Sequence, residues 1–518
     1  MQKPSTLLYV TAFTGGLVSL SVELAASSLL RPHFGTANLV WATIIGLILL
    51  YLTVGTFIGG RWADRSPQRT TLYQIIAWAG FAVGLVPFAA RPVLSLAAPG
   101  FANFSVALLV GSFVVVLLLF SVPVTLLGCV SPFVIRLAVT DVTSSGRVSG
   151  RVYAVSTLGS FLGAFLPDLL LVPIIGTRNT FVLLSLLLLC VALIGLVHET
   201  SRLKRRRLIL YLSMPLVVVL LALLLRSQPV KADSAGDVIY ETESAYNYIQ
   251  VVEQSDGCRH LILNEGGGIH SLTCPGQLQT PGPWDYFLVA PYFNPAPYYP
   301  HQVKRVALIG LAAGTTARQY TEVYGPLPID GVEIDAEIVR VGQTFFGMNQ
   351  PNLNAIVADG RTFLARTDHR YTVIGVDAYR LPYIPPHLTT VEFFQEARDH
   401  LTPDGVLAVN VGRTATDYRL VKAMATTLLE VFPSTHVIDV PYSFNAIVVA
   451  TVQPTETSNL SANLDVLHGN AFLHATALRA VENLHPMEPG RTIFTDDRAS
   501  IELMTNALLF DYVLGGEP

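Results

Sequence analysis

Acids that could serve one crevice recur after short apolar runs in the second half of the chain. Glu333 and Asp335 close Ile329-Asp-Gly-Val-Glu-Ile-Asp335, Asp359 follows Ile356-Val-Ala, and Asp377 follows Tyr371-Thr-Val-Ile-Gly-Val. Each run reads as a buried parallel strand. Ahead of them, Val306-Ala-Leu-Ile leads into a turn of small residues, Gly310, Ala312, Ala313 and Gly314, and then a helix from about Thr315. Strand, small-residue turn, helix, strand and acid form the nucleotide-binding half of a doubly wound sheet. Small residues let the backbone approach a ligand, and the acid after the second strand accepts ribose hydroxyls. Taken alone, such a turn also reads as plain strand–helix packing. The acids on two further strands weigh against that, because carboxyl ends of neighbouring parallel strands converge where such sheets bind ligands. A helix opening at Leu388-Thr-Thr-Val-Glu-Phe-Phe and a fifth strand at Gly405-Val-Leu-Ala-Val-Asn410 extend the pattern.

The rest of the chain is of another kind. It has 518 residues, 51% hydrophobic and 14% charged, with a mean hydropathy of +0.49. That is too apolar for one soluble protein and too long for one ordinary domain. The apolar character is concentrated in residues 1–230, where runs near 6–30, 39–62, 71–90, 104–128, 152–176, 179–197 and 207–226 read as about seven membrane spans. The fourth continues to about Val139, with Pro123 and Pro132 as candidate breaks. Residues 231–300 read as a small β subdomain and 301–518 as the nucleotide-binding domain. The first apolar run is as long as a span and others follow closely, which is unlike a cleavable signal. A net charge of −4 argues against nucleic acid as a principal partner. No cysteine or histidine cluster has metal-ligand spacing.

Within the spans, Gly15-Gly16, Gly159 and Gly163 read as surfaces for close helix packing. Glu23 and Asp168 are intramembrane carboxyl groups, which are expensive unless paired, protonated or facing a cavity. They are either a proton, amine or cation site or structural ion pairs with Arg31 or Arg136. The basic loops carry Arg61, Arg65 and Arg69, then Arg136, Arg147 and Arg151, then Arg202, Lys204 and Arg205 to Arg207; alternate loops carry only Arg31, Arg91 and Arg178. The positive-inside rule puts the amino terminus in the cytoplasm, and seven spans then deliver the soluble part outside. Cys258 and Cys274 flank a hairpin and lie eight residues either side of Gly266. They either meet as a cross-strand disulfide, which suits a compartment outside the cytosol, or remain half-buried thiols.

From about Glu241 to Asn410, with Thr495-Asp496-Asp497-Arg498 added, the chain resembles the spermidine synthase (polyamine aminopropyltransferase) family. The resemblance implies a Rossmann-like, methyltransferase-type α/β domain with a small N-terminal β-hairpin subdomain, here joined to a multi-pass α-helical membrane domain. Glu333 falls at the family's ribose-binding acid, with Gly310, Gly314 and Asp335 around it. Asp359-Gly360 falls at the pair that reads adenine, and Asp377 at the first acid of the gate loop, near the reacting amine. The aminopropyl-transfer chemistry that the resemblance implies leaves room for Tyr246 or Tyr379 to share the pocket of Asp377. Ser244-Ala-Tyr246-Asn247-Tyr248 resembles the family's opening strand, and Leu263-Asn-Glu265-Gly-Gly-Gly-Ile-His270-Ser its second hairpin arm, which makes Asn247, Glu265 and His270 candidate substrate contacts. Trp284-Asp285-Tyr286 falls at a tyrosine-centred substrate motif. The implied co-substrate is S-adenosylmethionine or its decarboxylated form, with no metal, and the family's oligomers suggest a homodimer.

Two positions depart from the family. Ala313 stands where the family has an aspartate that grips the nucleoside's amino group. Arg380 stands where the gate loop has a second acid, and a cation there repels a polyamine and suits a carboxylate or phosphate. Further, Gly59-Gly-Arg-Trp-Ala-Asp64-Arg65 resembles a loop motif of major facilitator transporters. Together with Tyr153-Ala-Val-Ser-Thr-Leu-Gly it is similar to bacterial inner-membrane proteins that fuse a transporter-like domain to a spermidine synthase domain. In the family the soluble domain works on cytosolic nucleosides, which opposes the charge and cysteine reading of its location. The expected function is a membrane-anchored spermidine-synthase-like transferase with an atypical acceptor; the alternatives are a methyltransferase or cyclase on a lipid or surface-exposed anion, and a non-catalytic nucleoside-fold module. In the first two, the expected partners are the bilayer and a small-molecule or lipid acceptor.

Overall fold

The structure, a computed structural model, describes residues 6–34, 38–101, 105–199, 205–225, 236–264, 268–379 and 383–514. It divides into two compact units, one of Met1–Asp233 with Thr242–Tyr248 and Asn264–Gly266, the other of Ser234–Glu241, Ile249–Leu263 and Gly267–Pro518.

The first unit is helical: α1 (Thr6–Phe34), α2 (Asn38–Arg65), α3 (Arg69–Phe101), α4 (Ser105–Gly128), α5 (Val130–Ala138), α6 (Ser145–Leu166), α7 (Val172–His198) and α8 (Arg205–Leu224). Among the described residues, five stretches are long and apolar enough to cross a membrane, and Ile209–Leu224 is a shorter apolar helix. The fifth stretch, Ser145–His198, has 54 residues. A straight helix of that length would run ~80 Å, more than twice a hydrocarbon core. It does not run straight: Gly176 leaves helical geometry at φ 78°, ψ 163°, a conformation open to glycine.

Helix registers show that the chain reverses there. A Cβ on Gly16 would lie 2.1 Å from the Ser156 carbonyl, and one on Gly159 2.1 Å from that of Phe13, so α1 and α6 touch through backbone, as expected of these glycines. Phe13 lies against Gly159 and Leu17 against Gly163, and Ser28 bonds Asp168, so the two helices run parallel. Gly80 meets Leu188 while Gly84 meets Ser185, so α3 and α7 run antiparallel. Consecutive spans alternate, which makes α1 and α3 parallel and therefore α6 and α7 opposed. Arg178, at the start of α7, donates to the Leu225 carbonyl just past α8 at 2.7 Å, so α8 runs back along α7.

Several sequence expectations need correction in this unit. The fourth span breaks at Cys129, between α4 and α5, and neither at Pro123, which sits inside α4, nor at Pro132. Arg136 pairs with Asp64 at 3.2 Å, so it is not the partner of an intramembrane acid; the Arg31 side chain lies outside the described residues. Glu23 is buried in α1. Asp168 sits in a π-helical turn, Pro167–Leu171, and accepts the Ser28 hydroxyl at 3.1 Å.

An antiparallel sheet, most of whose residues belong to the second unit, has the order β1-β2-β3-β4: β1 (Asp237–Glu243), β2 (Tyr248–Glu253), β3 (Arg259–Leu263) and β4 (Ile269–Thr273). A disulfide joins Cys258, just before β3, to Cys274, just after β4. After the short α9 (Trp284–Phe287) come β5 (Val306–Ile309), α10 (Thr315–Tyr324), β6 (Ile329–Glu333), α11 (Ala336–Phe345), β7 (Leu353–Val357), α12 (Gly360–Leu364), β8 (Tyr371–Val376), α13 (Val391–Asp399), β9 (Leu401–Gly412), β10 (Ser434–Asp439), β11 (Asn445–Thr451) and β12 (Leu484–His485). The large sheet has the order β12-β10-β11-β9-β8-β5-β6-β7. It is parallel from β9 to β7, and β11 is antiparallel to both neighbours. The chain leaves β5 for β6 on one side and returns to β8 on the other, a topological switch point with a crevice at the carboxyl ends. Every residue of β5, β6 and β8 is buried, as in a parallel strand covered on both faces; in β6 that includes Asp330 and Glu333.

Candidate functional site

The turn after β5 lies at that switch point. Gly310 has φ +91° and a Cβ there would lie 2.4 Å from the Asp377 carbonyl, so only glycine lets the β5 and β8 ends come together. Gly314, at φ 87°, precedes α10. The wall behind the turn comes from β4: the Ala313 N–H donates to Ser271 Oγ at 3.0 Å, and Thr315 Oγ1 bonds the Leu272 carbonyl at 3.0 Å. Ala313 is buried in an apolar cluster with Ile249, Val251, Leu261, Ile338 and Val341. An acid at this position would be embedded in apolar side chains, which the sequence departure at Ala313 avoids.

Glu333 ends β6 with its carboxylate turned back onto the turn, accepting the Ala312 N–H at 3.0 Å and the Asp335 N–H at 3.1 Å. Burial pushes it up to about 7 against the pull of those donors, with the Asp335 charge adding to the rise. Asp335 caps α11 through the Glu337 N–H at 3.0 Å, which ties it to helix placement.

Asp359 caps α12 through the Thr362 N–H at 2.9 Å and meets His387 Nε2 at 2.7 Å. Burial alone would raise it, but the donors from Thr362 and His387 prevail and hold it below the usual carboxylate range. At Gly360 a Cβ would lie 2.3 Å from Ile309 Cγ2, so α12 rests on the end of β5. Arg361 anchors it from outside, bonding Glu396 at 2.7 Å and Asp496 at 2.7 Å. The Thr495–Arg498 segment thereby supports the strand ends from more than a hundred residues away.

Asp377 follows β8. Asn410 Nδ2 donates to its Oδ1 at 2.8 Å; burial raises its pKa to about 6 in spite of that bond. Tyr379 donates its hydroxyl to the Asn410 carbonyl at 3.3 Å. Burial, then the charge of Asp377, pushes the phenol well above its ordinary value, so it is a fixed donor and no base.

The other expected contacts fall elsewhere. Asp285, expected to bind substrate, is completely buried and saturated by Thr280, Gln319 at 2.6 Å and Arg479 at 2.9 Å. A carboxylate so satisfied has no oxygen left for a ligand, and its work is to hold α9. His270 has a buried Nε2 without a partner, and burial lowers it to about 4, so it is a neutral imidazole. Tyr246 is 44% exposed, and Asn247 accepts from Asn264 at 2.8 Å. Both belong to the first unit. Glu265 and Arg380 lie outside the described residues. Ser271, Asn410, His387 and Arg361 carry no local signal and were not anticipated.

A family described as the spermine/spermidine synthase domain matches residues 295–462. A polyamine aminopropyltransferase of Vibrio vulnificus is 31% identical over 216 residues, 39% of this chain and 68% of that protein. The chain belongs to the spermine/spermidine synthase family. A probable polyamine aminopropyl transferase of Bifidobacterium longum is 29% identical over 287 residues, 52% of this chain and 62% of that one, so the chain spans less than two thirds of that relative. A solved probable spermidine synthase of Corynebacterium glutamicum superposes on 50% of this chain and 99% of its own, with TM-score 0.38 and 22% identity. The region matched to this synthase family holds Gly310, Glu333, Asp359, Asp377 and Asn410; the membrane unit and Ser271 lie outside it.

Proposed function

We propose that this chain is a membrane-integrated transferase that binds an S-adenosyl nucleoside at the ends of β5, β6 and β7 and passes a group to an acceptor held at Asp377. One observation carries the reading: Glu333, Asp359 and Asp377 end neighbouring parallel strands around a turn that Gly310 brings against Asp377. Glu333 accepts ribose hydroxyls, whose donors favour its charged form. Asp359 reads the adenine edge from a position that His387 and Thr362 hold. A carbon beside the nucleoside's sulfonium would be the electrophile: the acceptor's lone pair forms the new bond to it as the C–S bond breaks, and the pair of electrons leaves on the neutral thioether sulfur. Asp377 orients the nucleophile and takes the proton it sheds, and an acid near 6 suits proton transfer at neutral pH. Calorimetry of the full chain in nanodiscs with S-adenosylmethionine and its decarboxylated form tests the reading. Binding of either with transfer to an acceptor supports a transferase, binding without transfer a sensor, and no binding refutes the nucleoside site.

Ala313 supports a second reading. Without the acid that the family resemblance places there, the site lacks a grip on a nucleoside's amino group, which suits a methyltransferase or cyclase on a lipid or surface-exposed anion. Alternating helix directions, basic loops and the Cys258–Cys274 disulfide together support a soluble domain outside the cytosol. Labelling intact cells with an impermeant thiol reagent decides the side. Cysteines that label only after reduction place the domain outside and favour this second reading; labelling only in opened cells places it inside.

A further inference from the structure

The helix Ile501–Leu514 is apolar on two opposite faces. Ile501 and Leu508 are buried, and on the same side Tyr512 meets the ring of Phe444 at 5.4 Å. Leu503 and Phe510, seven residues apart and so on one outward stripe, are 72% and 40% exposed. The outward face of a helix in water is ordinarily polar. Beside this helix runs the turn between β10 and β11, where Phe444 is 57% exposed and Tyr442 fully so. Tyr442 holds φ at 57°, a left-handed conformation that costs free energy in a residue with a Cβ, and its exposed ring gains no packing in return. The patch borders the crevice. The Phe444 carbonyl accepts the N–H of Arg413, one residue past β9, at 2.7 Å, and Asn506 accepts the hydroxyl of Tyr383, a little past β8.

The tether and the chemistry of the patch identify what covers it. Eleven peptide bonds separate Leu225, just past α8, from Gly236, a reach of at most ~40 Å. Glu243 then accepts the Thr177 N–H at 3.1 Å and the Thr177 hydroxyl at 2.8 Å, one residue past the reversal at Gly176; both residues belong to the first unit. So short a tether to apolar helices of membrane-spanning length presents the domain to a bilayer at high effective concentration. Aromatic rings beside aliphatic side chains suit the interfacial layer of that bilayer. Asp511, between Phe510 and Tyr512, is paired with Arg419, so it puts no lone charge into the patch.

We propose that Tyr442, Phe444, Leu503 and Phe510 form a bilayer-docking face that enters the headgroup layer of the membrane and holds the rim of the crevice against lipid. This goes beyond the transferase reading and stands without it, because docking needs no bound nucleoside.

The test uses the full chain, one copy per nanodisc, carrying Tyr442→Trp, with Tyr299→Trp as the control at the amino end of β5. The 4 native tryptophans are subtracted as the wild-type background. The emission that Tyr442→Trp adds is expected to lose most of its intensity when dibrominated phosphatidylcholine replaces the ordinary lipid, and that of the control to hold. Phe510→Trp, a second reporter on the same face, is expected to behave as Tyr442→Trp does. Raising the salt leaves the quenching in place, since apolar insertion and not charge carries it. Leu503→Asp with Phe510→Asp, both at exposed positions, abolishes the quenching of Tyr442→Trp while the melting temperature in detergent stays unchanged. Emission that bromine leaves untouched overturns the proposal, as does quenching that vanishes in high salt. Emission that shifts to the blue only in discs holding two copies, without bromine quenching, overturns it in favour of an interface between copies of this chain.

Discussion

Replacing Asp377 by asparagine removes a charge and keeps the shape and the acceptor for Asn410 Nδ2. In the folded protein Asp377 is raised from 3.8 to about 6 by burial. At ~1.36 kcal/mol per pKa unit that is about 3 kcal/mol; solvent screening of a partly exposed group reduces it to roughly 1–2 kcal/mol. The sign follows from proton uptake. Between 3.8 and about 6 the folded state binds more protons than the unfolded one, so this stabilisation is full below 3.8 and lost as pH rises through about 6. Asp377→Asn escapes that loss. The variant is expected to melt with the wild type near pH 4 and above it at pH 8, by roughly 2–6 °C for a domain of this size. Scanning calorimetry of the full chain in nanodiscs at pH 4, 6 and 8 measures this. Turnover is expected to vanish while nucleoside affinity stays. A variant that melts lower at pH 8, or whose gain is the same at every pH, would refute the reasoning that burial of a charged Asp377 sets its pKa.

Three further outcomes are expected. Glu333 sits near 7 and binds hydroxyl donors as a carboxylate, so wild-type nucleoside affinity rises from pH 6 to 8; Glu333→Gln flattens that rise and loses about tenfold or more at pH 8 by calorimetry. Gly360→Ala places a methyl 2.3 Å from Ile309 Cγ2, an overpacking of about 1–3 kcal/mol seen as a lower melting temperature, and Ile309→Ala in the same chain recovers part of it. Changing Cys258 and Cys274 to serine opens a loop of sequence separation 16 and is expected to cost about 3 kcal/mol. Denaturant melts with and without reductant check this, the serine variant being indifferent to reductant.

What the sequence alone determined is local and periodic. Apolar runs of span length announced the membrane helices because a bilayer demands contiguous hydrophobicity. Val306–Ile309 and its turn announced the parallel half-sheet, and the strand-end places of Glu333, Asp359 and Asp377 were legible because such acids lie within a few residues of the run that orients them. The reversal at Gly176 was only half visible, as a join between two runs. Tertiary structure alone decided the partners. Asn410 and Asp377 are 33 residues apart, Ser271 and Ala313 are 42, and Arg361 and Asp496 are 135. No spacing rule links such pairs; they meet because parallel strands and a covering β sheet bring distant segments to one edge. Burial, too, is a property of the packed chain. It turned Asp285 from a candidate contact into a saturated internal anchor and lifted Asp377 toward neutrality, since the cost of a charge depends on what surrounds it and not on its neighbours in sequence.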